Sequence, residues 1–382
     1  MEREGRSQTT QDSVDAPISL VIAGGGTGGH LYPGIAIARE LQRRRPGSSL
    51  LFVGTSRGLE TRIVPAEGFS LALIEIGALN RVGWRQQLRT LATLPRTLLE
   101  AARILRRQRP DLVLGVGGYA SGPVVLVAAL MGIPTLVAEQ NALPGFTNRL
   151  LAQFVDAAAI AFDEARRYFG RRAVLTGNPV RAEFLSLAPR PPRQAGSPLH
   201  VLVTGGSQGA RAVNRAMVEA LPLLQQAGAR LQVTHQTGVR DFEWVAAAYR
   251  EGGFSGKIVP FLERMEESFA TADLVICRAG ATTVAELAAA GRAALLIPFP
   301  QAADDHQRKN AEAVVRVGGG VMIVEADLTP ARLARELLDL AENPDRLSRM
   351  AQAIRQLARP DAAGQVVELI AQLLRARQSR TR

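Results

Sequence analysis

The chain has one cysteine, Cys277, among 382 residues. A single thiol cannot close an intramolecular disulfide or assemble a zinc cluster, which points to a reducing compartment. Following Leu274-Val275-Ile276, it reads as a small buried hydrophobe. Aromatic residues are scarce as well, 5% of the chain against a hydrophobic total of 47%, so the cores must be built from Ala, Leu and Val. Long uninterrupted apolar runs are missing. Two stretches carry no charge, Pro17 to Ala38 and Leu112 to Ala138, and the second has the length of a membrane span. Gly115, Gly117, Gly118, Gly122, Pro123, Gly132 and Pro134 cut it into short pieces, so a buried strand, a glycine turn, a helix and a second strand are expected instead. Residues 1–16 lack the apolar core of a signal peptide and read as a disordered leader. Negative charge is in deficit: 35 Asp and Glu face 46 Lys and Arg, a net charge of +11. That excess attracts nucleic acid, anionic lipid or phosphorylated ligands, although a merely soluble basic surface has the same composition.

What is present is a repeated alternation. At this length about two domains are expected. Apolar strands at Ile18–Ala23, Leu50–Gly54, Leu112–Val116 and Thr135–Ala138 alternate with helical patterns, and the series restarts at His200–Thr204, Leu231–Thr234, Lys257–Pro260, Leu274–Cys277 and Ala294–Ile297. This is the signature of parallel α/β sheets. Each half opens with an apolar strand that runs into a glycine loop and then a helix. Between the halves, Pro189 to Pro198 is rich in proline and polar residues and reads as a stiff, exposed linker. Two doubly wound domains joined there would face each other across a cleft, with the glycine loops at the carboxyl ends of the strands lining it.

Four segments carry the chemistry. Gly24-Gly25-Gly26-Thr27-Gly28-Gly29-His30 can turn backbone amides and a helix dipole toward an anion. No Lys-Ser or Lys-Thr follows, which excludes a P-loop, and no acidic residue ends the strand Leu51-Phe52-Val53-Gly54, which counts against a dinucleotide fingerprint. His30 either takes a proton from a sugar hydroxyl or hydrogen-bonds the loop and shapes it. Gly115 to Pro123 and Gly205-Gly206-Ser207-Gln208-Gly209-Ala210 are further strand-to-helix loops, the first with Pro123 as a first helical residue. Arg278 to Glu286 offers Thr282 or Thr283 as a helix cap over a diphosphate, with Glu286 one turn on to accept from ribose hydroxyls; a plain capping box fits the same residues. No Asp-x-Asp is present, so no metal is required and no cofactor is implied; helix dipoles and hydroxyls would stabilise a leaving diphosphate. Between Leu71 and Arg109, eight arginines and two glutamates are interleaved with Ile76, Leu79, Val82, Trp84 and Leu88. That pattern suits an anionic bilayer surface, or a solvated helix face, better than nucleic acid, for which no aromatic stacking platform exists.

Gly26-Thr27-Gly28-Gly29-His30, Gly117 to Pro123, Glu139-Gln140-Asn141, Thr147-Asn148, Gly177-Asn178-Pro179-Val180-Arg181, Gly205 to Ala210 and Asp305-His306-Gln307-x-x-Asn310 occur in this order. Together they resemble the MurG family, the bacterial peptidoglycan N-acetylglucosaminyltransferases, over roughly residues 17 to 370. The resemblance implies a GT-B fold of two Rossmann-like domains. It implies inverting transfer of GlcNAc from UDP-GlcNAc to the C4 hydroxyl of MurNAc in undecaprenyl-diphospho-MurNAc-pentapeptide (lipid I), giving lipid II, by a peripheral protein on the cytoplasmic face of the bacterial cell membrane. The implied organisation is the leader over 1–16, an acceptor- and membrane-facing domain over 17–184, a linker over 185–198, a UDP-sugar domain over 199–345, and helices over 346–382 packing back on the first domain with a basic tail. In it, Leu262 would contact uracil through its backbone. Ala281, Thr282 and Thr283, continuing into Val284 and Ala285, would hold the diphosphate, Glu286 the ribose, and Gln307 the ribose or sugar. Ser207 would lie near the α-phosphate and Arg181 near the nucleotide. Thr27, Gly28, Gly29 and Asn141 would meet the GlcNAc, with His30 as candidate base and the first two glycine loops toward the acceptor diphosphate. Some members carry Leu where Thr282 stands. A UDP-GlcNAc 2-epimerase shares the architecture but has no use for a membrane patch. A diacylglycerol glycosyltransferase is a nearer alternative, against which Glu139-Gln140-Asn141 argues. A non-catalytic membrane adaptor would not need so many loops.

Overall fold

The computed structural model describes residues 16–56, 58–76, 84–194, 196–206 and 208–381, with side chains left aside at 84–92, 303, 380 and 381. Residues 1–15 of the leader, Ser207, and the Leu79, Arg81 and Val82 portion of the basic amphipathic segment lie outside the described residues, as do the side chains of Trp84, Arg85, Leu88 and Arg89.

The chain divides into two compact units, residues 1–180 with 359–382 and residues 181–358. The first is a parallel sheet of seven strands: β1 (Ser19–Gly24), β2 (Ser49–Gly54), β3 (Ser70–Leu73), β4 (Leu112–Gly117), β5 (Thr135–Glu139), β6 (Ala157–Ile160) and β7 (Ala173–Leu175). Their order is β3-β2-β1-β4-β5-β6-β7. Successive residues of a strand face opposite sides. Leu20 and Ile22 accordingly enter one core with the helix Gly28–Arg44, while Val21 and Ala23 enter the other with the helix Ser121–Leu130. Both faces are covered, so these strands read as continuous apolar runs rather than alternating ones.

The second unit repeats the plan with six parallel strands: β8 (Leu199–Thr204), β9 (Leu231–Gln236), β10 (Gly256–Val259), β11 (Leu274–Cys277), β12 (Ala293–Leu296) and β13 (Gly320–Met322), in the order β10-β9-β8-β11-β12-β13. In each sheet the strand order reverses once, between β1 and β4 and between β8 and β11. Ligands of open α/β sheets bind at such switch points, beyond the carboxyl ends of the strands.

The chain returns to the first unit later than residue 346. The helix Pro344–Ile354 buries Leu347 and Met350 in the second unit's core. The closing helix Ala362–Thr381 places Val366, Val367, Leu369 and Ile370 in the first unit's core beside Leu31 and Leu41. Residues 185–198 also belong to the second unit, where Arg190 pairs with Asp273.

Candidate functional site

In the first unit the two loops at the switch point interlock. Gly25 donates its amide to the carbonyl of Gly117 at 3.3 Å. Gly117 and Gly118 have φ of +94° and +83°, and a Cβ would lie 2.7 Å from His30 Cδ2 at the first and 2.4 Å from the Gly25 carbonyl at the second. Glycine is therefore needed at both for conformation and for space. The helix Gly28–Arg44 starts after Thr27, whose own side chain makes no capping bond. Thr27 Oγ1 instead meets His30 Nδ1 at 3.3 Å, within the first turn.

Beneath this loop lies a carboxylate that sequence reasoning missed. Glu60 is 1% exposed. Its Oε2 accepts from the Gly26 amide at 2.7 Å, and its Oε1 from the Thr55 amide at 2.8 Å and the Thr55 hydroxyl at 2.9 Å. Burial pushes its pKa up, but the amides of Gly26 and Thr55 and the Thr55 hydroxyl outweigh it and hold the carboxyl below its usual range. Gly25, Gly54 and Gly58 close around it with no room for a Cβ. In this loop the amides of Gly25 and Gly26 are already bonded inside the protein and are not offered to an external anion. A signal was present in Gly54-Thr55-x-x-Gly58-x-Glu60, where an acidic residue sits among glycines.

Glu139 and Asn141 lie at the end of β5. The Glu139 carboxylate, 3% exposed, accepts from the Asn141 amide at 2.9 Å and Asn141 Nδ2 at 3.1 Å, and from the Gly145 amide at 3.1 Å and Asn148 Nδ2 at 2.9 Å. Gln140 Nε2 donates to the Val116 carbonyl at 3.0 Å. Glu139, Asn141 and Asn148 thus form one knot, which Gln140 ties to β4 at Val116. Burial pushes the Glu139 pKa up against those bonds. The helix after β4 begins at Ser121, which puts Pro123 at its third position rather than its first.

In the second unit the helix Ala281–Ala290 follows β11. Its cap is Gly280, at φ −64° and ψ 144°, which has no side chain to cap with. This corrects the expectation that Thr282 or Thr283 caps it, and it removes the capping-box reading with it; both threonines lie in the first turn. Val284 donates its amide to the Gly280 carbonyl at 2.9 Å and is 2% exposed, so Val284 offers a ligand no donor. Ala281 is buried, and Ala285 is half-buried one turn on. Glu286 is 8% exposed, and its Oε1 accepts from Arg181 Nη2 at 3.0 Å. Burial pushes its pKa up, Arg181 draws it back, and Glu266 adds to the rise. Cys277 stands below; burial, then the charge of Glu286, pushes its thiol up to about 12, so it is inert at neutral pH.

The other expected residues surround this helix. Leu262 donates its amide to Gln236 Oε1 at 2.9 Å, so a base could use only its carbonyl, which accepts no bond among the described residues. Gln307 Oε1 accepts from the Phe299 amide at 2.9 Å, leaving its Nε2 as the donor for a ligand. Asn310 Nδ2 holds the Ala279 carbonyl at 3.1 Å and ties the helix His306–Arg316 to the loop before Ala281. Asp304 and Asp305, at φ +51° and +55°, are consecutive left-handed residues that are not glycine; strain of this kind gathers at functional sites. Among the described residues no group of three or more His, Cys, Asp or Glu is placed to hold a metal.

A second missed feature braces the β8 loop. Gly209 has φ +73°, and a Cβ there would lie 2.0 Å from the Thr237 carbonyl. Asn214 Nδ2 donates to that same carbonyl at 2.8 Å and to Asp241 Oδ2 at 2.9 Å, while Asn214 Oδ1 meets His235 Nε2 at 3.0 Å. Burial lowers the His235 pKa to about 4, so the ring is neutral and serves as scaffold.

The chain matches the N-terminal domain of glycosyltransferase family 28 over residues 20–160 and its C-terminal domain over residues 200–366. It is 50% identical over 359 residues to the UDP-N-acetylglucosamine–N-acetylmuramyl-(pentapeptide) pyrophosphoryl-undecaprenol N-acetylglucosamine transferase of Anaeromyxobacter dehalogenans strain 2CP-C, with 94% of each chain covered. To the transferase of the same name from Myxococcus xanthus it is 47% identical, covering 94% of this chain and 93% of that one. The crystal structure of Acinetobacter baumannii MurG matches with a TM-score of 0.77 at 33% identity, covering 93% of this chain and 100% of that one. A UDP-N-acetylglucosamine 2-epimerase matches with a TM-score of 0.65 at 14% identity over 93% of this chain and 95% of that one, a likeness of fold alone.

Proposed function

The chain belongs to glycosyltransferase family 28, and on that premise we propose how its residues carry the family's chemistry. Its two parallel α/β units are of the GT-B type. It is an N-acetylglucosaminyltransferase that moves GlcNAc from UDP-GlcNAc onto pyrophosphoryl-undecaprenol-linked N-acetylmuramyl-pentapeptide, a step of peptidoglycan synthesis. The observation that carries the reading is the 50% identity extending over 94% of both chains, through both units. At 14% identity the epimerase likeness carries no activity.

In the proposed reaction the MurNAc C4 oxygen attacks the anomeric carbon of GlcNAc, the bond to the UDP oxygen breaks, and the anomeric centre inverts. The hydroxyl proton leaves to a base, for which His30 is the candidate: its ring is half-buried at the first turn of a helix, steadied by Thr27. Thr27, Gly28, Gly29 and Asn141 meet the GlcNAc. On the second unit the charge that develops on the diphosphate is met by the start of the helix Ala281–Ala290 through Ala281, Thr282 and Thr283, with Ser207 near the α-phosphate. Glu286, its carboxylate set by Arg181, accepts from the ribose, the Leu262 carbonyl meets uracil, and Gln307 donates to the ribose or sugar. Radiolabelled UDP-GlcNAc with a lipid I analogue tests the reading; hydrolysis or epimerisation without transfer to the lipid would overturn it.

The acceptor's polyprenyl tail leaves the bilayer only at about 0.8 kcal/mol per CH₂, so the enzyme works at the membrane. Among the described residues no helix is long and apolar enough to cross one. We place the protein peripherally on the cytoplasmic face, with Ile76 to Arg89 meeting anionic lipid. Replacing Leu79 and Trp84 by Ser is expected to weaken binding to anionic liposomes while UDP affinity holds; unchanged liposome binding would move the docking surface elsewhere.

A further inference from the structure

The strands of the second sheet begin at the edge opposite the loops described above, and a cavity of about 220 Å3 opens there. The segment Pro189–Arg193, the turns before β11 and β12, and the helix Pro344–Ile354 with the turn after it form its walls. Four guanidinium groups line it, those of Arg190, Arg193, Arg292 and Arg355, against a single carboxylate, Asp273.

Their internal partners leave positive charge over. Arg190 pairs with Asp273, whose other oxygen accepts from the His200 amide at 2.9 Å. Arg292, 2% exposed, donates to the carbonyls of Phe269 at 2.6 Å and Ala290 at 2.8 Å, and so closes the ends of two helices. Those carbonyls satisfy its donors without cancelling its charge. Arg193 donates its two terminal nitrogens to the carbonyls of Ser197 and Ala341, while its Nε is buried and bonds nothing. Arg355 lies against Gly291 and makes no ion pair among the described residues. Burial, and after it the charges of Arg190 and Arg355, draw the Arg292 pKa down to about 10, so the crowding of like charge is felt within the cluster.

We propose that this cavity is a binding site for a compact, multiply charged phosphate-bearing anion, separate from the donor site and independent of the transfer reaction. Arginine suits such a ligand, because its planar fork meets two oxygens at once and its charge persists at every physiological pH. Arg355 supplies the unpaired fork, and Arg190, Arg193 and Arg292 the background charge. The volume admits a group of diphosphate size but not a nucleic-acid strand.

The test uses full-length protein saturated with UDP, so that the donor site is filled, and inorganic pyrophosphate as the probe. Calorimetry is expected to find one further pyrophosphate site per chain, weakened by added salt, and the thermal midpoint is expected to rise with probe concentration. Arg355→Gln is expected to lower pyrophosphate affinity roughly tenfold, as loss of a hydrogen bond between charged groups does. Gln352→Glu, which adds a negative charge at the exposed rim, is expected to lower it separately. UDP affinity, unchanged in both variants, reports that the unit is folded. Absence of a pyrophosphate site in the UDP-saturated protein, or affinity equal to wild type in both variants, would overturn the proposal.

Discussion

The two units open with the same device, an apolar strand running into a glycine loop and a helix at a switch point, yet they use it differently. In the first unit the loop closes over an anion that belongs to the protein: Glu60 takes the Gly26 amide, and the Gly117 carbonyl takes that of Gly25. At the second unit's switch point the opening strand β8 lies beside β11; the helix after β11 has Gly280, which carries no side chain, as its cap, and the nearby carboxylate, Glu286, is held one turn away by Arg181. A glycine loop is thus not evidence of a phosphate site by itself. What distinguishes the two is where the nearest carboxylate sits and which way it is bonded.

The contrast can be broken at four places. The largest effect is expected for His30→Ala, since a positioned general base contributes about 10²–10⁴-fold to rate. Turnover would fall by that order while UDP affinity, a property of the other unit, stays level. A loss under tenfold would mean that His30 only shapes the loop through Thr27. Next is Glu286→Ala, for which calorimetry is expected to show UDP binding weakened by about ten- to a hundredfold, the loss of roughly 1.5–3 kcal/mol of charged hydrogen bonding. Unchanged affinity would return Glu286 to a purely structural pairing with Arg181.

Glu60→Gln sharpens the comparison from the other side. An amide cannot accept at both positions, so the Gly26 or the Thr55 donor is left facing an NH₂ group, at a cost of about 1–3 kcal/mol in chemical denaturation. Acceptor kinetics are expected to suffer and UDP affinity to hold; the reverse outcome would place the loop's role on the donor. The pH dependence follows from the depressed pKa. Such a group contributes stability above its unfolded value, near 4.5, and loses it as pH falls through the lower folded value. Wild type is therefore expected to lose stability on acidification below about 4.5 more steeply than Glu60→Gln. Equal acid limbs would show that the loop does not depend on the charge. The smallest effect, none, is expected from EDTA, because helix ends and hydroxyls are proposed to carry the diphosphate charge. Metal-rescuable loss of transfer would show that account to be wrong.

Much of the fold was legible because buried parallel strands announce themselves as apolar runs. β1, β2, β4, β5, β8, β11 and β12 are such runs, while β9 and the edge strand β10 show only short apolar pieces, Leu231 with Val233 and Ile258 with Val259. β3, β6, β7 and β13 were not read, and the reason is physical. Ala157-Ala158-Ala159-Ile160 has little intrinsic preference for a strand, and β7 and β13 are three residues each. Their pairing with neighbours already in place makes them strands. The recurring motifs marked which loops matter. They did not reveal that Glu139 binds Asn141 and Asn148 into one knot, or that Leu262 has already spent its amide on Gln236.

By itself the sequence determined the alternation of strand, glycine loop and helix, the restart near residue 199 and the family's motifs, because hydrophobic period and glycine placement are local properties of a chain. Only the tertiary structure decided which polar groups were already taken. Glu60 stands 34 residues from the amide it holds, and Arg181 stands 105 from Glu286. Whether a glycine loop is open to a ligand depends on such distant partners. A buried carboxylate must be satisfied by whatever donors the fold brings to it, and no local pattern names them.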